Sequence, residues 1–361
     1  MSNLMEASRE WATRKDDERF LSLEDLAASV KSRKEECWTA NPLTKDLRIE
    51  VMENDDISVN VYDPAQGERR NVIPTNWGFG QLCQYAKAPA SYMRQLPATL
   101  AGINLQHGFE NDSLRDDVLI LGQTNGNNIL RSMTSTSYGR IWDIEVVNAV
   151  QRANEDDRWK VPSASYSSSR PKRATTLYAS DRDVFIFLVD PQNPIEVKGE
   201  TLFRGFFAWN SEVGSATFGL TTFLYRFICD NRIVWGATEV KELKIRHTGG
   251  APDRFRYEGM RYLQRYAEES TQKTVEQIKK ADAFEIPNAA KKDGVEEWLK
   301  ARGFTSATAK NATAAARAEE GEARSLWDIV NGITAHARTI PHTDTRIQLE
   351  KQAGNLLNLV A

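Results

Sequence analysis

The sequence predicts an α+β fold: a mixed, largely antiparallel sheet core followed by a helical C-terminal third. Three observations carry this. Short period-two runs separated by turn residues fill residues 47–72, the pattern of half-buried strands. Aromatic and β-branched runs recur at Val184–Val189, "TLFRGFFAWN" and "ATFGLTTFLYRFI", as strands covered on both faces require. From Asp253 the apolar period becomes helical, holds to about Ala283, and returns in later segments. The expected organisation is an N-terminal arm (1–20), an α+β core (21–250) and a helical region packed on it (251–361).

Ser22 followed by Asp25 is a helix start, and Leu23, Leu26, Ala27 and Val30 share one face of a helix ending near Arg33. "RIEVMENDDISVNVYD" alternates Ile49, Val51, Ile57, Val59 and Val61 around an Asn-Asp-Asp turn. "IPTNWGFGQLCQYAKAPASYMRQLP" reads as two helices, interrupted at Ala88-Pro89 and ended by Pro97. A strand (117–122), a Gly/Asn turn and "NILRSMTSTSYGRIWD" lead to a helix, "IEVVNAVQRA". Ser163–Arg173 is a polar loop, and Asp230-Asn231 turns the chain into "RIVW". "KKDGVEEWLKARGFT", "SATAKNATAAARAEEGEA" and "SLWDIVNGITAHARTI" supply the late helices, the last opening on Ser325 and Asp328.

At 361 residues the chain buries a substantial core. It has no run of about 18 apolar residues, and its first twenty residues carry charges instead of an apolar segment. No membrane partner and no secretion are therefore expected. Cys37, Cys83 and Cys229 lie far apart, without zinc or redox spacing. A cytoplasmic setting with reduced thiols is the expectation. Net charge is −3, so attraction to nucleic acid has to be local.

No cofactor is expected. "GQTNGNN" lacks both the P-loop and the dinucleotide order, and there is no GxSxG. His107, His247, His336 and His342 show no HExxH or HxxxH spacing, so no metal site is expected on them. Between Lys241 and Arg265 there are seven Lys/Arg against three Asp/Glu, with Phe255, Tyr257, Tyr262 and Tyr266 interleaved. That composition suits phosphate neutralisation and base stacking. Phe255, Gly259, Tyr262 and Tyr266 fall on one helical stripe, the face expected to pack on the sheet. Arg254, Glu258, Arg261 and Arg265 fall on another, where Glu258 is spaced to neutralise its neighbours. Lys241, Lys244 and Arg246 have only Glu242 to balance them and are the leading phosphate contacts. Lys172 and Arg173 in "SSSRPKR" form a second basic loop, while "RSMTSTSYGR" offers hydroxyls and arginines.

"IPTNWGFGQLCQYAKAPASYMRQLP", "TSTSYGRIWD", "YASDRDVFIFLVD" and "RGFFAWNSEVGSATFGLTTFLYRFICDNRIVWGA…IRHTG" resemble the phage/plasmid-like proteins of domain-of-unknown-function family 932. The resemblance spans roughly residues 20–340, including "LWDIVNGITAHAR". Asn210, Ser211, Glu212 and Gly214 match "NSEVG"; Arg246, His247 and Thr248 match "RHT". Where the family often reads Asn-Gly after the cysteine, this chain has Asp230-Asn231-Arg232. The resemblance implies a setting in phages, plasmids or prophages of bacteria rather than a particular chemistry.

The leading functional expectation is a non-enzymatic homo-oligomer that binds single-stranded DNA in recombination, annealing or replication. Its contacts would be Lys241, Lys244, Arg246, His247, Lys172, Arg173 and Arg261, with Trp235 or Tyr257 stacking bases. One alternative is a protein-interaction factor acting on a host defence protein. Another is a metal-dependent nuclease or hydrolase using Glu212, Asp181, Asp183 and His247 at strand ends.

Overall fold

In the computed structural model, the structure describes residues 16–63, 67–161, 176–197, 200–226, 231–233, 243–268, 272–321, 323–340, 349 and 352–360. The chain opens on β1 (Arg19–Phe20) and α1 (Leu23–Glu35). Ser22 caps α1, its hydroxyl accepting the Asp25 N–H at 3.0 Å. Then come β2 (Cys37–Ala40), β3 (Arg48–Val51), β4 (Ile57–Asp63) and β5 (Glu68–Pro74). Thr75 caps α2 (Asn76–Tyr85), and α3 (Ala90–Met93) is one short turn.

α3 stops at Met93, ahead of Pro97 as expected, but Pro97 does more than follow it. It stands at the start of α4 (Ala98–Asn111), a helix absent from the sequence expectation. A proline at a helix start sacrifices no hydrogen bond, because that N–H has no intrahelical acceptor. Ala101, Leu105 and Phe109 recur every four residues and bury that helix against the sheet.

β6 (Leu119–Thr124) and β7 (Asn128–Thr134) complete a six-stranded sheet ordered β2-β6-β7-β5-β4-β3, in which only β5 and β7 run parallel. The second sheet holds eight strands. After α5 (Asp143–Ala153) these are β8 (Leu177–Ala179), β9 (Val184–Val189), β10 (Ile195–Val197), β11 (Glu200–Asn210), β12 (Phe218–Arg226), β13 (Asn231–Ile233) and β14 (Leu243–Ile245). Its path is β1-β8-β9-β11-β12-β13, with β10 on β11 and β14 also on β12. All six residues of β9 are buried, as a strand covered on both faces should be. Val184, Ile186 and Leu188 join the core under α1 and α5. Phe185 and Phe187 point the other way, with Phe185 stacked on Phe207 at 5.7 Å.

The helical part begins with α6 (Ala251–Arg254), passes through one π turn (Phe255–Gly259) and continues as α7 (Met260–Glu268). Phe255 and Tyr266 of the predicted stripe pack into the core of the large sheet and Tyr262 lies half-buried against it, while Leu263, outside that stripe, is buried beside them. α8 (Gln272–Ala283), α9 (Gly294–Lys300), α10 (Ser306–Glu320) and α11 (Leu326–Arg338) build a further core around Trp327, joined by Ile195, Leu202 and Leu224 of the sheet. The architecture is therefore α+β, with antiparallel-dominated sheets and helices gathered towards the C-terminal part. Among the described residues no helix is long and apolar enough to cross a membrane.

Candidate functional site

Strand register decides which loops meet. Val184 lies opposite Asn210, and Phe218 lies opposite Ile245. The turn 180–183, the loop 211–217 and the segment 246–250 therefore emerge from the same end of the large sheet. A fourth segment, 135–142, descends from β7 of the other sheet and crosses that end. Tyr138 donates its hydroxyl to the Ser211 carbonyl at 2.9 Å, bridges Thr248 through the backbone, and stacks on the His247 ring with centroids 5.0 Å apart. Gly139 donates its N–H to the His247 carbonyl at 3.2 Å. A Cβ on Gly139 would lie 1.8 Å from the Thr248 carbonyl oxygen, so only glycine permits this approach.

Beneath the loops lies a buried ion cluster. Glu212 is fully buried; its Oε2 accepts from Arg131 Nη1 at 2.7 Å and sits 3.7 Å from Arg33 Nε, while its Oε1 accepts the Asp143 N–H at 2.9 Å. Asp143, equally buried, takes Arg33 Nη2 at 2.6 Å and Asn210 Nδ2 at 2.7 Å. Arg33 also donates to the Ser180 carbonyl, Arg131 to the Asp181 carbonyl, and Arg140 Nε to the Glu212 carbonyl. Two helices, both sheets and three loops are thereby tied to a single set of charges. Buried charges of this kind persist only when paired and hydrogen-bonded.

The two carboxyls are driven apart. Burial raises the Glu212 pKa, but Arg33 and Arg131 outweigh it and hold Glu212 below the ordinary glutamate range. Burial and the neighbouring Glu212 charge push Asp143 well above its usual value, against the pull of Arg33. Burial also lowers the Arg140 pKa, and Arg140 keeps Nη2 without a partner among the described residues. Its guanidinium faces the Tyr138 and Trp142 rings at 5.7 and 5.4 Å.

The predicted contacts separate in this frame. Lys172, Arg173, Trp235 and Lys241 lie outside the described residues. Lys244 is exposed on β14, and Arg246 is exposed just beyond it. The Arg246 guanidinium has no hydrogen bond or ion pair to any described residue; the same is true of the exposed Arg182 guanidinium. β9 and β14 are three strand steps apart, which separates the loops bearing these arginines by about 14 Å at ~4.8 Å per step. His247, expected as a phosphate contact, stands half-buried behind Tyr138, and burial is the main cause that depresses its pKa to about 4. Tyr257 is 68% exposed, free to stack, on the outer face of the π turn. Arg254 pairs with Glu258 at 2.9 Å and Arg256 with Glu145 at 3.5 Å, while Arg261 is exposed without such a partner among the described residues.

The proposed metal constellation is not assembled. Both Glu212 oxygens are occupied by protein donors, and Asp183 accepts from the Ser180 hydroxyl at 2.7 Å in a tight turn before β9. Asp181 is exposed. Among the described residues no group of three or more His, Cys, Asp or Glu side chains is arranged to hold a metal ion. Arg33 and Asp143, central to the cluster, were not singled out in the sequence, because they are 110 residues apart and carry no spacing signal.

No curated protein and no solved structure matches this chain. A family model described as "Domain of unknown function (DUF932)" matches residues 144–354, a span that includes the Asn210–Glu212 corner, Arg246 and His247. The chain belongs to the DUF932 family.

Proposed function

We propose that this protein is a non-enzymatic, homo-oligomeric component of a phage, plasmid or prophage that binds single-stranded DNA across its loop end. The observation that carries this reading is the contrast between the two levels of that end. Asp143 and Glu212 are buried and neutralised below, while the guanidinium groups of Arg182 and Arg246 are displayed above without protein partners among the described residues. Lys244 adds a further cation, and the Ser135–Ser137 hydroxyl pair, 3.0 Å apart on the crossing segment, keeps one proton to donate to a phosphate oxygen, while Thr136 donates to Asp117. An exposed tyrosine, Tyr257, follows on the next element, and base stacking on such a ring is worth about 1–3 kcal/mol. The occupied oxygens of Glu212 favour a binding role over metal-dependent cleavage. The genetic setting rests on the sequence resemblance.

Fluorescence anisotropy with a labelled single-stranded oligonucleotide tests the reading. Binding should tighten as salt is lowered and exceed binding to the matching duplex. No binding at low salt, or equal affinity for both forms, overturns it.

A further inference from the structure

A second charged feature lies far along the chain, in the helical part. A cleft of about 340 Å³ is lined by Lys291, Lys292, Arg317 and Arg324, with alanines and Gly321 between them. None of its described lining residues is acidic. Lys291, Lys292 and Arg317 are exposed, and their side chains make no hydrogen bond or ion pair to any described residue.

The cations come from three separate segments held in fixed relation. The Ile286 N–H donates to the Arg324 carbonyl at 2.9 Å, and Glu285 bridges Ser325. The Arg324 and Ser325 N–H groups both donate to Asp328 Oδ2, at 3.1 and 3.0 Å, which fixes Arg324 on the cap of α11. Lys291 is set by a tight turn in which its N–H donates to the Asn288 carbonyl at 2.8 Å. Gly294 seals that turn, since a Cβ there would meet the Asn288 carbonyl oxygen at 1.9 Å. The C-terminal dipole of α10 accounts for Arg317. It does not account for the two lysines, which another segment delivers to the same space. Like charges brought into one cleft repel unless an anion enters between them.

We infer that this cleft is a binding site for a phosphate-bearing anion, held by Lys291 and Lys292 on one wall and Arg317 on the other. Two lysines act as mobile point charges, and the guanidinium of Arg317 matches the planar spread of phosphate oxygens. The volume admits a group of pyrophosphate size with its water. This site is separate from the loop end and does not depend on DNA binding there.

Isothermal titration of the full chain with inorganic pyrophosphate at low salt is the test. One pyrophosphate per chain is expected, with affinity at least tenfold weaker in K291A/K292A and in Arg317→Ala. Lys310→Ala, on the exposed face of α10 and outside the lining, should bind as the parent does. Circular dichroism confirms that each variant is folded. Competition then identifies the source of the phosphate. A 5′-phosphorylated oligonucleotide that displaces pyrophosphate while its 5′-hydroxyl twin does not marks a nucleic-acid end; displacement by neither marks a free polyanion. Absence of binding, or equal binding by the parent, K291A/K292A and Arg317→Ala, overturns the proposal.

Discussion

Arg131 Nη1 stands 2.7 Å from Glu212 Oε2, with the arginine 2% exposed and the glutamate wholly buried. This contact joins β7 of the smaller sheet to the loop that follows β11 of the larger one. Trp77 Nε1 and Gln81 Nε2 reinforce it, both donating to the Val213 carbonyl at 2.9 Å.

Breaking one side of the pair leaves an uncompensated buried charge. Arg131→Met should destabilise the protein by about 3–5 kcal/mol, whereas R131M/E212L should recover a large part of that loss. Urea denaturation of the two variants and the parent measures both effects. Equal stability of Arg131→Met and the parent would show that the pair does not join the sheets.

The two carboxyls give opposite pH dependence. Glu212 has a depressed folded pKa, so its contribution is present above the ordinary glutamate value of about 4.3 and is lost as pH falls. Asp143 has a raised folded pKa, so its contribution is present below the ordinary aspartate value of about 3.9 and is lost as pH rises. Asp143→Asn should therefore flatten the decline in stability above that value, and Glu212→Gln should flatten the acid loss. Denaturation midpoints from pH 3 to 8 (~one-unit steps) separate the two.

His247 supplies a third profile. Its folded pKa near 4 lies below the ordinary 6.5, so the unfolded chain takes up a proton first as pH falls. Stability should drop across that window by at most about 1.4 kcal/mol per pH unit. His247→Phe should lose this dependence while retaining the stack on Tyr138. NMR titration of the imidazole checks the pKa itself, and a value near 6.5 contradicts the account.

Gly139→Ala changes no charge but forces the Tyr138–Thr248 bridge open. We expect single-stranded DNA affinity to fall about tenfold, equivalent to ~1.4 kcal/mol, with circular dichroism unchanged. Affinity equal to the parent's would separate the loop geometry from binding.

Much of the fold was legible because burial repeats locally. The cap at Ser22, the fully apolar run of β9 and the stripe through Phe255 and Tyr266 each show within a few residues. α4 was equally periodic, but Pro97 was read only as the stop after α3, and it also stands at the start of α4. The basic Lys244–Arg246 corner was also visible, because in the sequence only Glu242 stands beside Lys241, Lys244 and Arg246. The ion cluster was not. Arg33, Arg131, Asp143 and Glu212 come from four separate segments, and only strand register brings them together. For the same reason the sequence could name His247 as a contact but not show that Tyr138 and Gly139 pack against its ring, where burial lowers its pKa to about 4.

The most direct test of the central claim is the salt dependence of single-stranded DNA binding by the parent and by R182A/R246A. Each phosphate neutralised on a single strand contributes about −0.7 to the slope of log K against log salt. If both arginines contact phosphate, the double variant should bind more weakly at every salt concentration, with a slope shallower by about 1.4. A parallel line, with slope and affinity unchanged, would contradict the placement of DNA at this end of the molecule.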